Sequence, residues 1–253
     1  MSSDVLTEER RGNVAVLTLN RPSARNAMNA SLAAATVAAI EAAQDAGAIV
    51  ITGADPAFCA GLDLRNLGVA TLAELPPFLR AAASSEVPIV AAVNGPAVTG
   101  GLELALAADF IVASERAAFA DTHLRVGVYP GPVAVDLPRR VGPAWARQMS
   151  LTGDFVDAAT ALRIGLANEV VPHDQLLDRA LTLAIAIAEQ DPDMVRVLRQ
   201  DWRATVGLPW TEAHALHREM ATKVTFAHDA DALASRRETV LARSRDQRGE
   251  TTG

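Results

Sequence analysis

The hydrophobic rhythm of the chain changes once along its length. Over the first two thirds, short apolar runs alternate with turn residues and helical stretches; beyond that the spacing is almost continuously helical. Val14 to Leu19 is a β-branched-rich run ending at Asn20-Arg21-Pro22, which predicts a strand closed by a turn. An Ala-rich helix follows over Asn29 to Ala46, with Ser31 or Asn29 as N-cap and Gly47 as terminator. Ala48 to Thr52 reads as a fully apolar strand, broken by Gly53 and Asp55-Pro56. Leu72 to Ser85 reads as a helix with Pro76-Pro77 in its first turn or breaking it. Strand Ile89 to Val93 meets the turn Asn94-Gly95-Pro96, a helix runs from about Gly101 to Ala108, and Phe110 to Ala113 is another strand. The alternation predicts an α/β core. After Gly142 helices are expected at Pro143–Leu151, Asp157–Gly165, His173–Glu189, Pro192–Val206, Pro209–Phe226 and Asp229 to about Arg245, with a frayed tail from Asp246. The shift near residue 190 divides the expected chain into a core domain, 1–190, and a helical region, 191–253.

Composition narrows the function classes. A length of 253 residues suits one large domain, or a main domain with a smaller appendage. Half the residues are apolar but only 4% are aromatic, so packing must come from Ala, Leu, Val and Ile. That profile belongs to a soluble globular enzyme. The formal charge is −7, and Lys223 is the one lysine beside 22 arginines. No concentrated positive field is present, so nucleic acid is not an expected partner. A single cysteine, Cys59, excludes an internal disulfide framework and a Cys-based zinc site, making a reducing cytoplasm the expected compartment. The segment MSSDVLTEERRGN is too polar for a secretory signal, and the most apolar stretch, Val87 to Ala113, is interrupted by Asn94, Glu103 and Asp109. No membrane association is expected.

Candidate chemistry lies where small residues bring the backbone forward: Ala57-Phe58-Cys59-Ala60-Gly61-Leu62-Asp63-Leu64, and Asn94 through Thr99-Gly100-Gly101-Leu102-Glu103. A helix opening on Gly100-Gly101 presents unpaired N–H groups and the positive end of its dipole to a developing oxyanion, with Glu103 one turn in. Paired glycines equally permit close helix–strand packing, and the pattern does not choose between the two.

Several motifs in order resemble the enoyl-CoA hydratase/isomerase (crotonase) superfamily: Leu19-Asn20-Arg21-Pro22 with Asn26-Ala27-Met28-Asn29, Phe58 to Asp63, Ala92 to Asn94-Gly95 and on through Gly100-Gly101-Leu102-Glu103-Leu104-Ala105 to Asp109, and Phe119 to Gly131. The resemblance covers about the first 175 residues. It implies a spiral of strand-strand-helix units with a helical C-terminal region, assembled as a homotrimer or a hexamer. It also implies an acyl-coenzyme A substrate, with coenzyme A entering as part of that substrate and no other cofactor. The thioester oxygen would lie between the N–H groups of Leu62 and Gly100.

Glu103 matches the first of two glutamates that hold the added water in the hydratases of the family. The second position is occupied by His123. An imidazole carries protons at neutral pH, so acid/base work survives this departure; the other reading makes His123 a neutral wall of the acyl pocket. Glu103 itself has a second reading, as a residue that compensates a helix dipole. Asp121 shares a strand face with His123 or, on a loop, orients its ring. The isomerase branches place another acid near the second position, and Leu124 to Val135 contains none.

For the nucleotide, the resemblance implies the turn Arg25-Asn26-Ala27 and the segment Ala60 to Leu64, including Asp63. Arg25 is the expected phosphate partner and Arg65 a second. Lys223 and Phe226 correspond to the C-terminal contacts of the family, although Lys223 also reads as a solvated helix residue and the usual family ending is not evident in Ala232 to Arg245. Cys59 lacks a catalytic partner in sequence and reads as a small buried filler. His214 and His217 have helical spacing, and His173 and His228 lie elsewhere, but no metal-type arrangement accompanies them, so no metal is expected. The combined reading is an enoyl-CoA hydratase-type enzyme. Its alternatives are an isomerase or hydrolase on the same fold, or a non-catalytic acyl-CoA binder.

Overall fold

The structure is a computed structural model describing residues 4–63 and 76–222, together with positions 237, 240 and 241. It divides into two compact units, Met1–Arg196 and Val197–Gly253. Nine strands are described: β1 (Leu6–Arg11), β2 (Val14–Leu19), β3 (Ala48–Gly53), β4 (Ile89–Val93), β5 (Ala97–Val98), β6 (Phe110–Ser114), β7 (Ala118–Ala120), β8 (Val156–Asp157) and β9 (Glu169–Val171). The helices are α1 (Ala30–Ala42), α2 (Pro77–Ser84), α3 (Gly100–Ala107), α4 (Val133–Thr152), α5 (Ala158–Arg163), α6 (Leu176–Ala188), α7 (Pro192–Thr205) and α8 (Trp210–Thr222). Among the described residues no helix is long and apolar enough to cross a membrane.

Six strands form one sheet in the order β1-β2-β3-β4-β6-β9, parallel except for β1. Its inner strands are apolar apart from Thr18, Thr52 and Ser114 because both faces are covered. Alternate residues Ile49, Ile51, Ile89, Ala91, Val93 and Ile111 face the layer that holds α1, α2 and α3. Their neighbours Val50, Val90, Ala92 and Val112 pack with Leu176, Ala180 and Ala184 of α6. A smaller sheet, β5-β7-β8, completes the unit.

Four polar side chains link the carboxyl ends of β3, β4, β6 and β9. Asn94 accepts the N–H of Gly53 (3.2 Å) and donates to Asp55 (2.9 Å). Asp55 meets Nε2 of His173 (3.0 Å), whose Nδ1 lies 3.0 Å from the Ser114 hydroxyl. The composition is that of a nucleophilic triad, but Ser114 is fully buried and accepts the N–H of Arg116, so the group is a tie and not a nucleophile.

The turn after β2 is held by Asn26, which is fully buried in a left-handed conformation (φ 55°). Its amide accepts the N–H of Arg21 (2.8 Å) and donates to Ala54 O (2.7 Å) and Ala57 O (2.6 Å). The loop after β3 is thereby bound to the loop after β2.

Several elements differ from the sequence expectation. The Asn29–Ala46 helix is shorter: Asn29 caps it, it ends at Ala42, and a 3-10 turn over Ala43–Asp45 follows. The polar segment Leu6–Arg11 is an edge strand burying only Leu6, so it carries no alternation to read. β5, β7, β8 and β9 are two or three residues long, below the length at which periodicity speaks. The first half of α4 was hidden by prolines, and the element is broken at Gly142 (φ 78°, ψ 159°), ahead of the expected Pro143–Leu151 helix. The expected Leu72–Ser85 helix is described only from Pro77, and most of Asp229–Arg245 lies outside the described residues.

Replacing Asn26 by Ala should lower stability by about 3 kcal/mol, since three buried backbone groups lose their partner. Asn26→Asp should be similarly harmful, because a carboxylate cannot donate to two carbonyls. Urea midpoints of the three proteins check this.

Candidate active site

Two chain segments meet at the mouth of the first unit. Phe58 and Cys59 N–H groups both donate to Pro96 O (3.1 Å), and Val98 N donates to Cys59 O (3.0 Å). These bonds place Gly61-Leu62 beside Thr99-Gly100. A Cβ built on Gly100 would lie 3.6 Å from Leu62 N, in ordinary contact, so the two amides are neighbours.

Each amide follows a residue with an unusual backbone. Gly61 has φ 90° and Thr99 φ 46°. For a β-branched residue such a φ costs about 1–3 kcal/mol, which the surrounding bonds must outweigh. Thr99 is held there by its N–H to Ala120 O (2.9 Å) and by its packing against Gly61, where any Cβ would sit 2.1 Å from the Thr99 hydroxyl. Gly100 opens α3, so its N–H has no partner within the helix. The bridge between Met28 and Leu62 uses the flanking groups, Met28 N to Gly61 O (2.7 Å) and Asp63 N to Met28 O (2.9 Å), and leaves Leu62 N outside the ladder. The two glycines therefore have different jobs. Gly101 permits packing, since a Cβ there would meet Cys59 O at 2.1 Å; Gly100 leaves space beside a donor.

Glu103 is buried one turn into α3. Its Oε1 accepts the N–H of Val133 (3.3 Å), so the carboxylate faces the N-terminus of a second helix, α4. Gly131 makes room for it, as a Cβ there would come within 2.8 Å of Oε1. Burial pushes the Glu103 carboxyl above its ordinary pKa; the Val133 N–H and the charge of His123 oppose this, and Asp121 and Asp136 add to it.

His123 lies just after β7, ahead of a 3-10 turn over Leu124–Val126. Its Nδ1 is 2.7 Å from Asp121 Oδ1, and its backbone N–H reaches the same oxygen at 3.3 Å. The loop geometry thus settles the alternatives for Asp121: it orients the ring. Burial pulls the imidazole pKa down, but the bond to Asp121 and the charge of Glu103 outweigh it and hold the value above that of an ordinary histidine. Asp121 stays below the ordinary carboxylate range: burial raises it, and the His123 ring, the nearby Ser150 hydroxyl and the His123 amide pull it down further.

A mostly apolar cavity of about 550 Å³ adjoins this pair. Leu124, next to His123, and Val133, bonded to Glu103, line it together with Tyr129, Pro138, Ala146 and Leu151.

The turn expected to meet the nucleotide lies against the loop expected to help it. Ala60 N donates to Arg25 O (3.0 Å), next to the Met28–Gly61 and Asp63–Met28 bonds. Arg25 is exposed, and Arg21 bonds to Ala27 O and to the Asp63 carboxylate (3.3 Å). Leu64, Arg65, Lys223, Phe226 and His228 lie outside the described residues. Among the other candidates, Cys59 is buried and its thiol is pushed up to about 11 by burial, His214 packs on Trp210 with ring centroids 4.2 Å apart, and His217 bonds to Asp201. Among the described residues no group of three or more His, Cys, Asp or Glu side chains is arranged to hold a metal ion.

Sequence reasoning did not single out Gly131, the Val133 N–H or Thr99 as parts of the site. The Pro130-Gly131 pair ahead of a helix was a signal for the first two; a left-handed threonine has no signal in sequence. Asp136, whose carboxyl burial raises, stands one residue beyond the stretch searched for a further acid.

Residues 9–239 match the sequence model of the enoyl-CoA hydratase/isomerase family. A probable enoyl-CoA hydratase of Rhizobium meliloti is 42% identical over 197 residues, covering 74% of this chain and 77% of that protein. The crystal structure of an enoyl-CoA hydratase from Mycobacterium avium has a TM-score of 0.73 at 46% identity, covering 87% of this chain and 98% of that one. An enoyl-CoA hydratase subunit from Geobacillus kaustophilus reaches a TM-score of 0.85 at 30% identity, covering 94% and 97%.

Gly101→Ala should lower stability by more than about 2 kcal/mol through its backbone clash, whereas Gly100→Ala should stay within about 1 kcal/mol of the parent. Thermal melts of the two variants side by side test the assignment. Cys59 should resist alkylation at pH 8 in the folded chain and react fully in urea.

Proposed function

The chain belongs to the enoyl-CoA hydratase/isomerase family, and on that premise we propose that it catalyses the reversible addition of water to a 2-enoyl-CoA thioester. One observation carries the reading: the adjacent N–H groups of Leu62 and Gly100, outside the hydrogen-bond ladders of the fold, lie at the start of the helix that bears the buried Glu103. Two such donors form an oxyanion hole for the thioester oxygen. They bind its charge more strongly as it grows toward an enolate, which is the differential binding that lowers a barrier.

Glu103 acts as the base toward water. Burial raises its pKa, and a more basic carboxylate removes a proton better than an ordinary one. His123 assists as proton carrier. The acyl chain occupies the cavity beside Leu124 and Val133. Coenzyme A arrives as part of the substrate, and the reaction asks for no other cofactor. Arg25 meets phosphate, with Ala27, Ala60 and Asp63 bordering the nucleotide and Leu64, Lys223 and Phe226 as further contacts.

A core domain over 1–190 carries the site, and the helical region 191–253 joins copies into a trimer or hexamer in the cytoplasm. Large apolar side chains exposed on the described helices, Leu198 and Trp202 of α7 and Trp210 of α8 among them, support association. Light scattering will resolve whether three or six copies of the 26.6 kDa chain assemble.

Purified protein should bleach the absorbance of the conjugated enoyl thioester of crotonyl-CoA. Glu103→Gln should lower kcat by about 1,000-fold, Gly100→Ala should lower kcat/KM by about 100-fold without unfolding, and Arg25→Ala should raise KM by about 10-fold with kcat little changed. Tight binding of crotonyl-CoA without any loss of its double bond would overturn the hydratase reading in favour of a binder or another enolate reaction.

A further inference from the structure

His123 is tied to a buried carboxylate of its own. Asp121 Oδ1 takes both the ring Nδ1 (2.7 Å) and the backbone N–H of His123 (3.3 Å), and the Asp121 side chain is 1% exposed. A carboxylate only accepts, so Nδ1 keeps its hydrogen against Asp121 and Nε2 is the nitrogen left for a reacting group. The ring cannot turn without leaving a buried charge unpaired.

We propose that Asp121 is a positioning residue that makes His123 the proton donor of the site, the buried His123–Asp121 ion pair serving as a net-neutral acid opposite the Glu103 carboxylate. The reaction assigned to this acid rests on the hydratase reading; the existence of the pair does not.

Charge arithmetic supports the assignment. An imidazolium alone in a buried pocket would be disfavoured and would change the site from a cation to a neutral group on losing its proton. Paired with Asp121 it is neutral before donation and carries one negative charge after it, as a carboxylic acid does. In the forward step water forms a bond from oxygen to the β-carbon while Glu103 takes one of its protons. The π pair of the double bond moves onto the thioester as an enolate, held by Leu62 and Gly100. That pair then takes the proton from Nε2 at the α-carbon, and transfer of a proton from Glu103 back to the imidazole restores the start. Glu103, His123 and Asp121 together carry one negative charge before and after the step, so the buried site develops no new net charge.

The charged groups acting on the ring are Asp121, from its own loop, and Glu103, from α3; Asp136 of α4 acts on Glu103. Burial disfavours the imidazolium, but both groups that act on the ring favour it and prevail, so it keeps its proton to higher pH than an ordinary histidine.

The test combines histidine-selective NMR on the full ligand-free chain, with His123→Gln to assign the signal, and pH profiles of crotonyl-CoA hydration. His123 should titrate above the ordinary histidine value near 6.5 in the unaltered protein and at clearly lower pH in Asp121→Asn. In that variant the alkaline limb of kcat should move to lower pH. The loss should be about 100-fold at pH 8 and smaller at pH 6, with KM within about threefold; Asp121→Glu should recover part of the rate at pH 8. A His123 that titrates at or below the ordinary value in the unaltered chain overturns the proposal without any variant. A kcat loss uniform across pH overturns it as well, since that is the signature of a purely structural Asp121. If no hydration occurs but the His123 titration still falls in Asp121→Asn, the hydratase reading fails and the pair stands. If hydration proceeds with a profile that Asp121→Asn leaves unmoved, the pair fails and the hydratase reading stands.

Discussion

The structure depends on keeping two backbone N–H groups, which the backbone bonds among the described residues leave unused, in one place. A protein normally pairs nearly every buried backbone donor, so keeping Leu62 and Gly100 outside the backbone ladders of the described residues requires the neighbouring segments to hold them there. It does so with bonds that consume everything around them: Pro96 O takes two N–H groups, Cys59 O takes Val98 N, and Gly61 O and Met28 O complete the bridge on the other side. The left-handed Thr99 is the strained element in this arrangement, and it sits directly before the donor it aims.

Around the donors the electrostatics are arranged in layers. The positive end of the α3 dipole lies at Gly100, and the N-terminus of α4 meets the Glu103 carboxylate through Val133. These fixed dipoles favour negative charge where the reaction needs it. Burial acts in the opposite sense on Glu103, raising its proton affinity, and the two influences leave a carboxylate that is both stable and basic.

Part of this was legible in sequence, in the residue types at a few positions, although several of them carried two readings. Gly100 and Glu103 were candidates from the strand-turn-helix pattern and the resemblance, His123 from the resemblance alone, and the buried strands were read from their Val-, Ile- and Ala-rich runs. The rest depended on three-dimensional facts that leave no local trace. Whether Asp121 oriented His123 turned on whether β7 ended before or after it, and it ends at Ala120. Which glycine of the pair serves packing and which leaves open space beside an amide turned on where Cys59 O lies. The edge strand Leu6–Arg11 was missed because it buries one residue and pairs through its backbone alone.

The polar tie across Asp55, Asn94, Ser114 and His173 bears on a different problem, that of ambiguity in folding. The strands it joins have nearly interchangeable cores, built from Ala, Val and Ile, and a parallel sheet of such strands has little to distinguish one register from the next. A slip of one residue would move a strand by about 3.3 Å and turn its side chains to the other face. Any such slip would carry one member of the tie out of reach of bonds that are 2.9 to 3.0 Å long, leaving polar groups stranded at the end of an apolar sheet. The tie thus acts as a check on alignment, rejecting misregistered sheets that hydrophobic burial alone would accept.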